Sequence, residues 1–273
     1  MTNALSQDLH TLICTTDLAE KVRLGLEFKH ALAAEIKPLS PTECATLKSP
    51  GRPAGFQLVA ARAVLKRSFH DLQSRIHFLH AIANIELLAI ELPALCLLRF
   101  GSNDLASIQR QFDIIAEEAL HFSLLQKRLQ AMGADFGTLP CHNGLWDYAW
   151  QCQNELEHQI VIPCYLEARG LDVTPNFIEK FTNIGDLESA KVMQRILTDE
   201  IQHVLTGQEY LQKQALTLNI TADALFEQTL NRFFDGKVKS KVPLNRVNRL
   251  QAGFSENMMA TLTQPQTMRP SIS

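Results

Sequence analysis

The segment from Phe112 to His121 places a carboxylate and an imidazole on an otherwise apolar helical stripe. Glu118 and His121 are three residues apart, so both side chains project from one face of a helix. The residues on and beside that face are apolar: Ile114, Ile115, Phe122, Leu125 and Leu129. Burying a carboxylate and an imidazole among them is costly unless a partner satisfies both groups. The segment therefore predicts a core helix that carries a buried polar pair.

The same Glu-x-x-His frame returns at Glu200 and His203, again on an apolar stripe. The apolar residues in line with Glu200 are Met193, Ile196, Leu197 and Val204. Two more copies of the frame have polar or charged neighbours, which is typical of solvated helix faces: Glu27/His30 and Glu155/His158. The two apolar copies are therefore the candidate pairs, and two such pairs on two core helices predict a metal site.

Apolar residues recur at helical spacing along most of the chain, and no stretch alternates as a strand does. The predicted class is all-α. Four long helices, with a longer connection between the second and the third, predict a four-helix bundle. They are expected at about residues 74–99, 105–132, 145–169 and 185–216, and shorter helical stretches at about 1–36, 175–183 and 222–234. The predicted domains are an N-terminal helical extension with a Pro-rich connector (1–73), the bundle (74–216) and a C-terminal helical extension with a tail (217–273).

Local signals set the expected ends of these helices. The first long helix is apolar nearly all round, which is typical of a central, enclosed helix, and Pro93 should kink it. Ser102 or Asp104 should cap the second helix. Glycines are expected to end the second and third helices, at Gly133 and Gly170.

The composition is that of a globular chain without a strongly charged partner. Of its 273 residues 46% are hydrophobic, which is enough for one substantial core. A formal charge of -3 and a pI near 6.3 indicate neither nucleic-acid binding nor membrane attraction. The most apolar stretch, Ile82 to Leu98, is predicted to be too short and too charged to span a bilayer. The N-terminus lacks the pattern of a signal peptide.

The cysteines indicate a reducing compartment. The six are Cys14, Cys44, Cys96, Cys141, Cys152 and Cys164, and none falls in a Cys-x-x-Cys frame. In a chain without an export signal, such residues are expected to be reduced and mostly buried thiols. A cytoplasmic location follows as a prediction.

A pair of metal ions needs more ligands than two Glu/His pairs provide, so the other two core helices should each donate a carboxylate. On the first helix Glu86 is favoured. An antiparallel hairpin around Gly101 would bring it level with Glu118. Glu91 points about 140° away around the helix and is the alternative.

On the third helix Glu167 is favoured, because it follows apolar residues on one face. Glu155 and Glu157 are the alternatives at a more symmetrical depth. The predicted ligand set is Glu86, Glu118, His121, Glu167, Glu200 and His203. Carboxylates with one imidazole per ion suit two iron ions, with manganese as the alternative.

Three further residues are candidates to orient these ligands. Glu117 and Asp199 directly precede the two Glu-x-x-His frames, and metal-bound imidazoles usually donate their second N–H to such a group. His80 lies one and a half turns before Glu86. The alternatives are exposed helix carboxylates and a hydrogen-bonded core histidine.

Several motifs in the chain resemble one known family. They are His80-Ala-Ile-Ala-Asn-Ile-Glu86, Glu117-Glu-Ala-Leu-His121, Leu166-Glu-Ala-Arg-Gly-Leu-Asp-Val-Thr-Pro175, Asp199-Glu-Ile-Gln-His203-Val, Pro50-Gly-Arg-Pro53 and the segment 245–254. The ligand order resembles that of ferritin-like di-metal carboxylate proteins and, more specifically, of the DUF455 family. The context of Glu167 is more distantly similar to the tRNA hydroxylase MiaE. Asn84 departs from the family, in which a second His is common there. The resemblance implies a ferritin-like four-helix bundle.

A di-metal site of this kind implies an oxidoreductase. Two ferrous ions can each give one electron to O2, so we expect an oxidase or mono-oxygenase that hydroxylates an unidentified substrate. No catalytic residue beyond the ligands is predicted. The alternatives are a ferroxidase or iron-handling protein without an organic substrate, and a catalase-like dimanganese protein.

The expected partners are O2, the substrate and an electron donor, and no membrane. Nucleic acid is not an expected partner, because the basic run from Lys237 to Arg249 is more typical of a solvated tail. A homodimer is left open. Trp146, Tyr148 and Trp150 either line a substrate pocket or anchor the core.

Overall fold

The computed structural model describes residues 4–30, 36–42, 47–63, 69 and 71–263. Across these residues β pairing is confined to two isolated bridges, Leu39 with Ser102 and Leu58 with Cys141. The predicted all-α class is therefore confirmed and fits the expected bundle. The α-helices are α1 (Ala4–Cys14), α2 (Leu18–Glu27), α3 (Leu72–Phe100), α4 (Leu105–Ala131), α5 (Gly144–Gln151), α6 (Glu155–Val161), α7 (Arg169–Asn183), α8 (Leu187–Thr217), α9 (Ala222–Phe233), α10 (Arg246–Gln251) and α11 (Glu256–Thr263). A π-helix, Ile162–Glu167, links α6 to α7.

The chain divides into two compact units. The first consists of Met1–Gln151 and Ile178–Ile196, and the second of Cys152–Phe177 and Leu197–Ser273. Helices α3 and α4 belong to the first unit, and α9, α10 and α11 belong to the second. The domain limits drawn from the sequence stay a prediction.

Helix α3 is the central element of the first unit. Asp71 caps it by accepting a hydrogen bond from the Ser74 backbone N–H (2.6 Å). The helix continues through Pro93 to Phe100 and is buried on nearly every side. By length and composition alone it could cross a membrane, so the prediction that this segment is too short was wrong. However, 89% of its most apolar window is buried inside the protein, as in a core helix.

Helices α3 and α4 form an antiparallel hairpin with a short turn. Gly101 ends α3 with φ at 66°, a left-handed conformation that glycine adopts without a steric penalty. Asp104 caps α4 by accepting two backbone N–H hydrogen bonds (3.1 and 3.2 Å). Helix α4 ends at Ala131, just before Gly133. The expected turn and both helix ends are thus confirmed.

The N-terminal region, expected to be helical over about residues 1–36, contains two α-helices, α1 and α2. Asp17 caps a new helix, α2, by accepting a hydrogen bond from the Glu20 backbone N–H (2.9 Å). Helix α2 packs closely on α4, since a Cβ added at Gly25 would lie only 2.8 Å from Cβ of Ala119. Residues 31–35 of the predicted stretch lie outside the described residues.

The third long helix is interrupted, although one helix over 145–169 was expected. Three residues separate α5 from α6, and Asn154 caps α6 by accepting a hydrogen bond from the Glu157 N–H (2.9 Å). After the π-helix, α7 runs through Gly170 and Pro175 to Asn183. The predicted stop at Gly170 was therefore wrong. A glycine lowers helix stability by only about 1 kcal/mol, which tertiary contacts can offset.

The last two predicted helices are present. Asp186 caps α8 by accepting a hydrogen bond from the Ser189 N–H (3.1 Å), and α9 covers the expected residues. The segment expected to be a basic run and a polar tail also contains α10 and α11. Residues 264–273 of the predicted tail lie outside the described residues.

Candidate metal centre

Three of the predicted ligands meet in the first unit, across the α3–α4 hairpin. Glu86 is 4% exposed, Glu118 2% and His121 0%. Nδ1 of His121 lies 3.2 Å from a carboxylate oxygen of Glu86 and 3.2 Å from one of Glu118. The candidate ligand atoms of the three residues lie within 4.8 Å of one another, which is close enough to share a metal ion.

The hairpin explains why these residues meet. Glu86 precedes Gly101 and Glu118 follows it, at nearly equal distances along the sequence. Because each helical residue rises by about 1.5 Å, the two carboxylates are at nearly the same height in an antiparallel pair. His121 is one turn further along the same face of α4.

The donor set fits a metal ion. An imidazole Nδ1 carries at most one proton, so His121 can donate that hydrogen bond to only one of the two carboxylates. Two buried carboxylates side by side also disfavour each other's ionised form. A shared cation relieves this repulsion and binds the imidazole nitrogen. Carboxylate oxygens with imidazole nitrogen suit iron or manganese.

The second Glu-x-x-His pair lies on α8 in the second unit. Nδ1 of His203 is 3.9 Å from a carboxylate oxygen of Glu200, and the side chains are 3% and 12% exposed. Leu197 and Val204 on the same helix are buried. His203 is therefore buried and Glu200 half-buried beside the apolar stripe that the sequence indicated, and their role as a ligand pair stays a prediction.

Glu167 is the last residue of the π-helix and is half-buried. The Ala168 N–H donates to the Pro163 carbonyl (3.0 Å), which is the i to i+5 bond of that helix type. Such segments are rare and occur frequently at functional sites. Because α7 continues from this point, Glu167 precedes Gly185 by a sequence distance similar to that by which Glu200 follows it. The depth of Glu167 is thus compatible with a ligand role.

The two alternatives on the third helix differ in their surroundings. Glu157 accepts hydrogen bonds from Arg232 (2.7 Å) and from the Gln153 N–H (2.7 Å), so its carboxylate has a structural role. Glu155 is half-buried at the start of α6. Glu167 and Glu155 therefore stay the candidates.

His80 makes the contacts of a core histidine. Its Nε2 accepts hydrogen bonds from the backbone N–H groups of Gly137 (2.9 Å) and Leu139 (3.4 Å), and its ring stacks on Phe136. Burial, assisted by the charge of His77, lowers the pKa of His80 to about 4. A neutral His80 thus holds the loop after α4.

The other two residues proposed to orient ligands, Glu117 and Asp199, are half-buried. That orienting role stays a prediction for both, as it does for His80.

The remaining Glu-x-x-His frames differ from each other. Glu27 and His30 are exposed, as predicted, and Glu27 pairs with Arg23. His158 is only 3% exposed, so the prediction of a solvated face was wrong for that residue. The reason is that α6 buries the polar residues Glu157, His158 and Gln159 together with its apolar residues.

A buried ion cluster beside α3 was not anticipated from the sequence. Lys21 is fully buried and donates a hydrogen bond to Glu91, while Arg52 binds both oxygens of Glu91 (2.6 and 2.9 Å). Glu91, the alternative to Glu86, is therefore engaged in ion pairs. The sequence contained one indication that Lys21 is buried, because this residue shares a helix face with Leu18 and Gly25.

Of the three aromatic residues before α6, Trp146 and Trp150 make the contacts of core anchors. Trp146 is 1% exposed, donates to the Lys48 carbonyl (3.2 Å) and stacks on Trp150. Arg99 lies over the ring of Trp150, and Tyr148 is exposed. These contacts fix the start of this region against α3.

The cysteines that the structure describes are free thiols, and four of the five are buried, as predicted. Burial raises the pKa of Cys141 to about 12 and that of Cys164 still further, so both are unreactive at neutral pH. Cys44 lies outside the described residues.

These features define an all-α protein with a buried group of Glu and His residues that could hold a metal ion. A sequence model of the family described as "Protein of unknown function (DUF455)" matches residues 14–260, and the chain belongs to that family. The chain is also 31% identical over 263 residues to an uncharacterized protein of Haemophilus influenzae, covering 92% of this chain and 91% of the relative. No solved structure matches the chain.

Proposed function

We propose that the protein is a di-iron carboxylate oxidoreductase that uses O2 to oxidise an organic substrate, as an oxidase or mono-oxygenase. The observation that carries this proposal is the buried group of Glu86, Glu118 and His121, whose ligand atoms lie within 4.8 Å of one another. The second Glu-x-x-His pair, Glu200 and His203, and the ferritin-like ligand order support two ions rather than one.

The ligand order assigns a role to each proposed ligand. Glu86, Glu118 and His121 would hold one ion, and Glu167, Glu200 and His203 would hold the other. When bound, two ferrous ions supply two electrons to O2. On α4, Ile115 and Phe122 flank Glu118 and His121 along the helix. Both are fully buried and keep bulk water away from the Glu118 carboxylate.

Hydroxylation requires an external electron donor. Converting a C–H bond and O2 into an alcohol and water consumes two further electrons and two protons. A ferroxidase would instead use the electrons of the iron itself and would need no organic substrate. The roughly 130 residues outside the predicted bundle favour an enzyme with a substrate site, because long additions to compact domains are usually functional or disordered.

Metal analysis of the purified protein, followed by anaerobic ferrous titration and exposure to O2, tests the proposal. We expect about two irons per chain and a transient absorbance after mixing with O2. Sustained O2 consumption with a chemical reductant would favour the oxygenase, and consumption that stops when the added iron is oxidised would favour the ferroxidase. Failure of the protein to bind iron or manganese would refute the di-metal assignment.

Two variants and a matched control sharpen the test. Glu118→Ala and His203→Ala should each lower the iron content and abolish the transient absorbance. Glu27→Ala removes the carboxylate of an exposed Glu-x-x-His frame and should leave both unchanged. Equal iron loading of all three variants would contradict the assignment.

A further inference from the structure

The first turns of α7 contain a carbonyl group that the helix itself cannot satisfy. Pro175 has no N–H, so the carbonyl of Leu171, four residues earlier, lacks its helical donor. Nδ2 of Asn248 donates a hydrogen bond to that carbonyl (3.0 Å). A side chain of α10 thus replaces the missing hydrogen bond of α7, and both residues belong to the second unit.

Arg249 binds the same turn of α7. Its Nε and Nη2 donate to the two carboxylate oxygens of Asp172 (3.0 and 2.7 Å), and Nη2 also donates to the Ala168 carbonyl (3.2 Å). The backbone N–H of Asn245 donates to Asp172 as well (2.9 Å). The Arg249 and Asp172 side chains are 3% and 0% exposed. The expectation of a solvated tail was therefore wrong at Arg249.

The other end of the π-helix is held by α8. A Cβ added at Gly207 would lie 2.8 Å from Sγ of Cys164 and 3.0 Å from Cγ of Pro163. Gly207 is one turn after His203, so the π-helix packs directly beside the second Glu-x-x-His pair. Both ends of the segment that carries Glu167 are therefore constrained.

These contacts contribute more to geometry than to stability. A buried Arg–Asp pair loses hydration that its attraction repays only in part, whereas the rigid guanidinium fork fixes the orientation of the carboxylate it binds. Glu167 lies at the change from π-helical to α-helical hydrogen bonding. The direction of the Glu167 side chain consequently depends on the contacts that fix the first turn of α7.

We propose that Asn248 and Arg249 are positioning residues that hold the turn after Glu167 and thereby aim this carboxylate for metal binding. The inference rests on the proposed function, because it takes Glu167 as a ligand. Asn248 and Arg249 are not proposed to contact the metal, and they affect Glu167 only through their hydrogen bonds to the chain around the start of α7.

A rescue experiment tests this mechanism. Asn248→Ala removes the donor to the Leu171 carbonyl, and Pro175→Ala restores a backbone N–H that can bond to the same carbonyl. The double variant should therefore recover what Asn248→Ala loses. Arg249→Lys keeps the charge but loses the fork. The control is Arg246→Gln, on the same helix, which breaks only an exposed pair with Glu256.

The readouts are cobalt(II) titration of the metal-free protein, followed by absorbance, and hydrogen exchange of residues 163–175 in the same metal-free protein. We expect Asn248→Ala and Arg249→Lys to weaken binding of one of two cobalt ions by about 10- to 100-fold, as for other groups that orient metal ligands. The double variant should return to within about twofold of Pro175→Ala alone. Arg246→Gln should match the wild type.

Four results would overturn the proposal. Faster exchange in Asn248→Ala without weaker cobalt binding, or no recovery in the double variant, would show a purely structural role. Unchanged cobalt binding by Glu167→Gln would remove Glu167 as a ligand and overturn the positioning role, while leaving the other ligands in place. A wild-type protein that binds neither cobalt nor iron would overturn the proposed function together with this inference.

Discussion

Glu86 and Glu91 lie five residues apart on α3 and are both almost fully buried, yet their neighbours differ. Glu91 is bound by two cations, Lys21 and Arg52, whereas Glu86 lies against His121 and beside another carboxylate. A carboxylate between two cations is satisfied, and two carboxylates around an imidazole still attract positive charge. The neighbours of each residue, rather than its type, separate the structural glutamate from the candidate ligand.

Glu91→Gln should destabilise the protein strongly. It leaves Lys21 and Arg52 buried without a counter-charge, and breaking a buried pair in this way costs about 3–5 kcal/mol. The free energy of unfolding in urea measures the effect. Arg23→Gln, which affects an exposed cluster on the same helix α2, is the control and should change little. Similar losses in the two variants would contradict the role given to the Glu91 cluster.

The pKa of His80 predicts a pH-dependent stability. Because burial lowers this pKa from 6.5 to about 4, the unfolded chain binds a proton at His80 between these pH values and the folded chain does not. The free energy of unfolding therefore falls as the pH decreases from about 6.5 towards 4.

His80→Gln keeps an acceptor for the Gly137 N–H and removes this titration. The wild type should lose about 2–3 kcal/mol more than His80→Gln between pH 7 and pH 4.5. Urea unfolding at the two pH values measures the difference, and the other titrating groups cancel in the comparison. An equal loss in both proteins would show that His80 titrates normally in the folded state.

Among the elements, the contact between α2 and α4 depends on one glycine. Gly25→Ala normally favours a helix, but here the new Cβ would meet Cβ of Ala119 at 2.8 Å. We expect a net destabilisation of about 1–3 kcal/mol, as for overpacked cores. Gly170→Ala in α7 meets nothing within 4 Å and should instead stabilise by about 0.5–1 kcal/mol. Thermal unfolding of both variants checks the opposite signs, and stabilisation by Gly25→Ala would contradict the close contact.

The helix ends show which element boundaries a sequence can predict. Asp104 and Asp186 cap their helices through backbone groups two or three residues away, so the local sequence was sufficient. Gly170 and Pro175 suggested an end and a new start, but α7 passes through both. The lost hydrogen bond at Leu171 is replaced by Asn248, which is distant in the sequence. No local signal could have indicated that contact.

For the whole molecule, metal binding should raise the stability of the fold. A metal that binds only the folded protein adds about 2.7 kcal/mol at a free concentration of 100 Kd. We therefore expect cobalt(II) to increase the Tm of the wild type and of Glu27→Ala. Glu118→Ala should show a much smaller increase. Equal shifts in all three proteins would indicate binding away from the buried group.

The sequence alone determined the all-α class, the family resemblance and a short set of candidate ligands. These depend on hydrophobic periodicity and on residues one helical turn apart, which are local properties. Tertiary structure decided that Glu86 rather than Glu91 meets Glu118 and His121, that Glu157 pairs with Arg232, and that a basic run contains a buried arginine. Each of these depends on a partner distant in sequence, and burial makes such a partner necessary without identifying it.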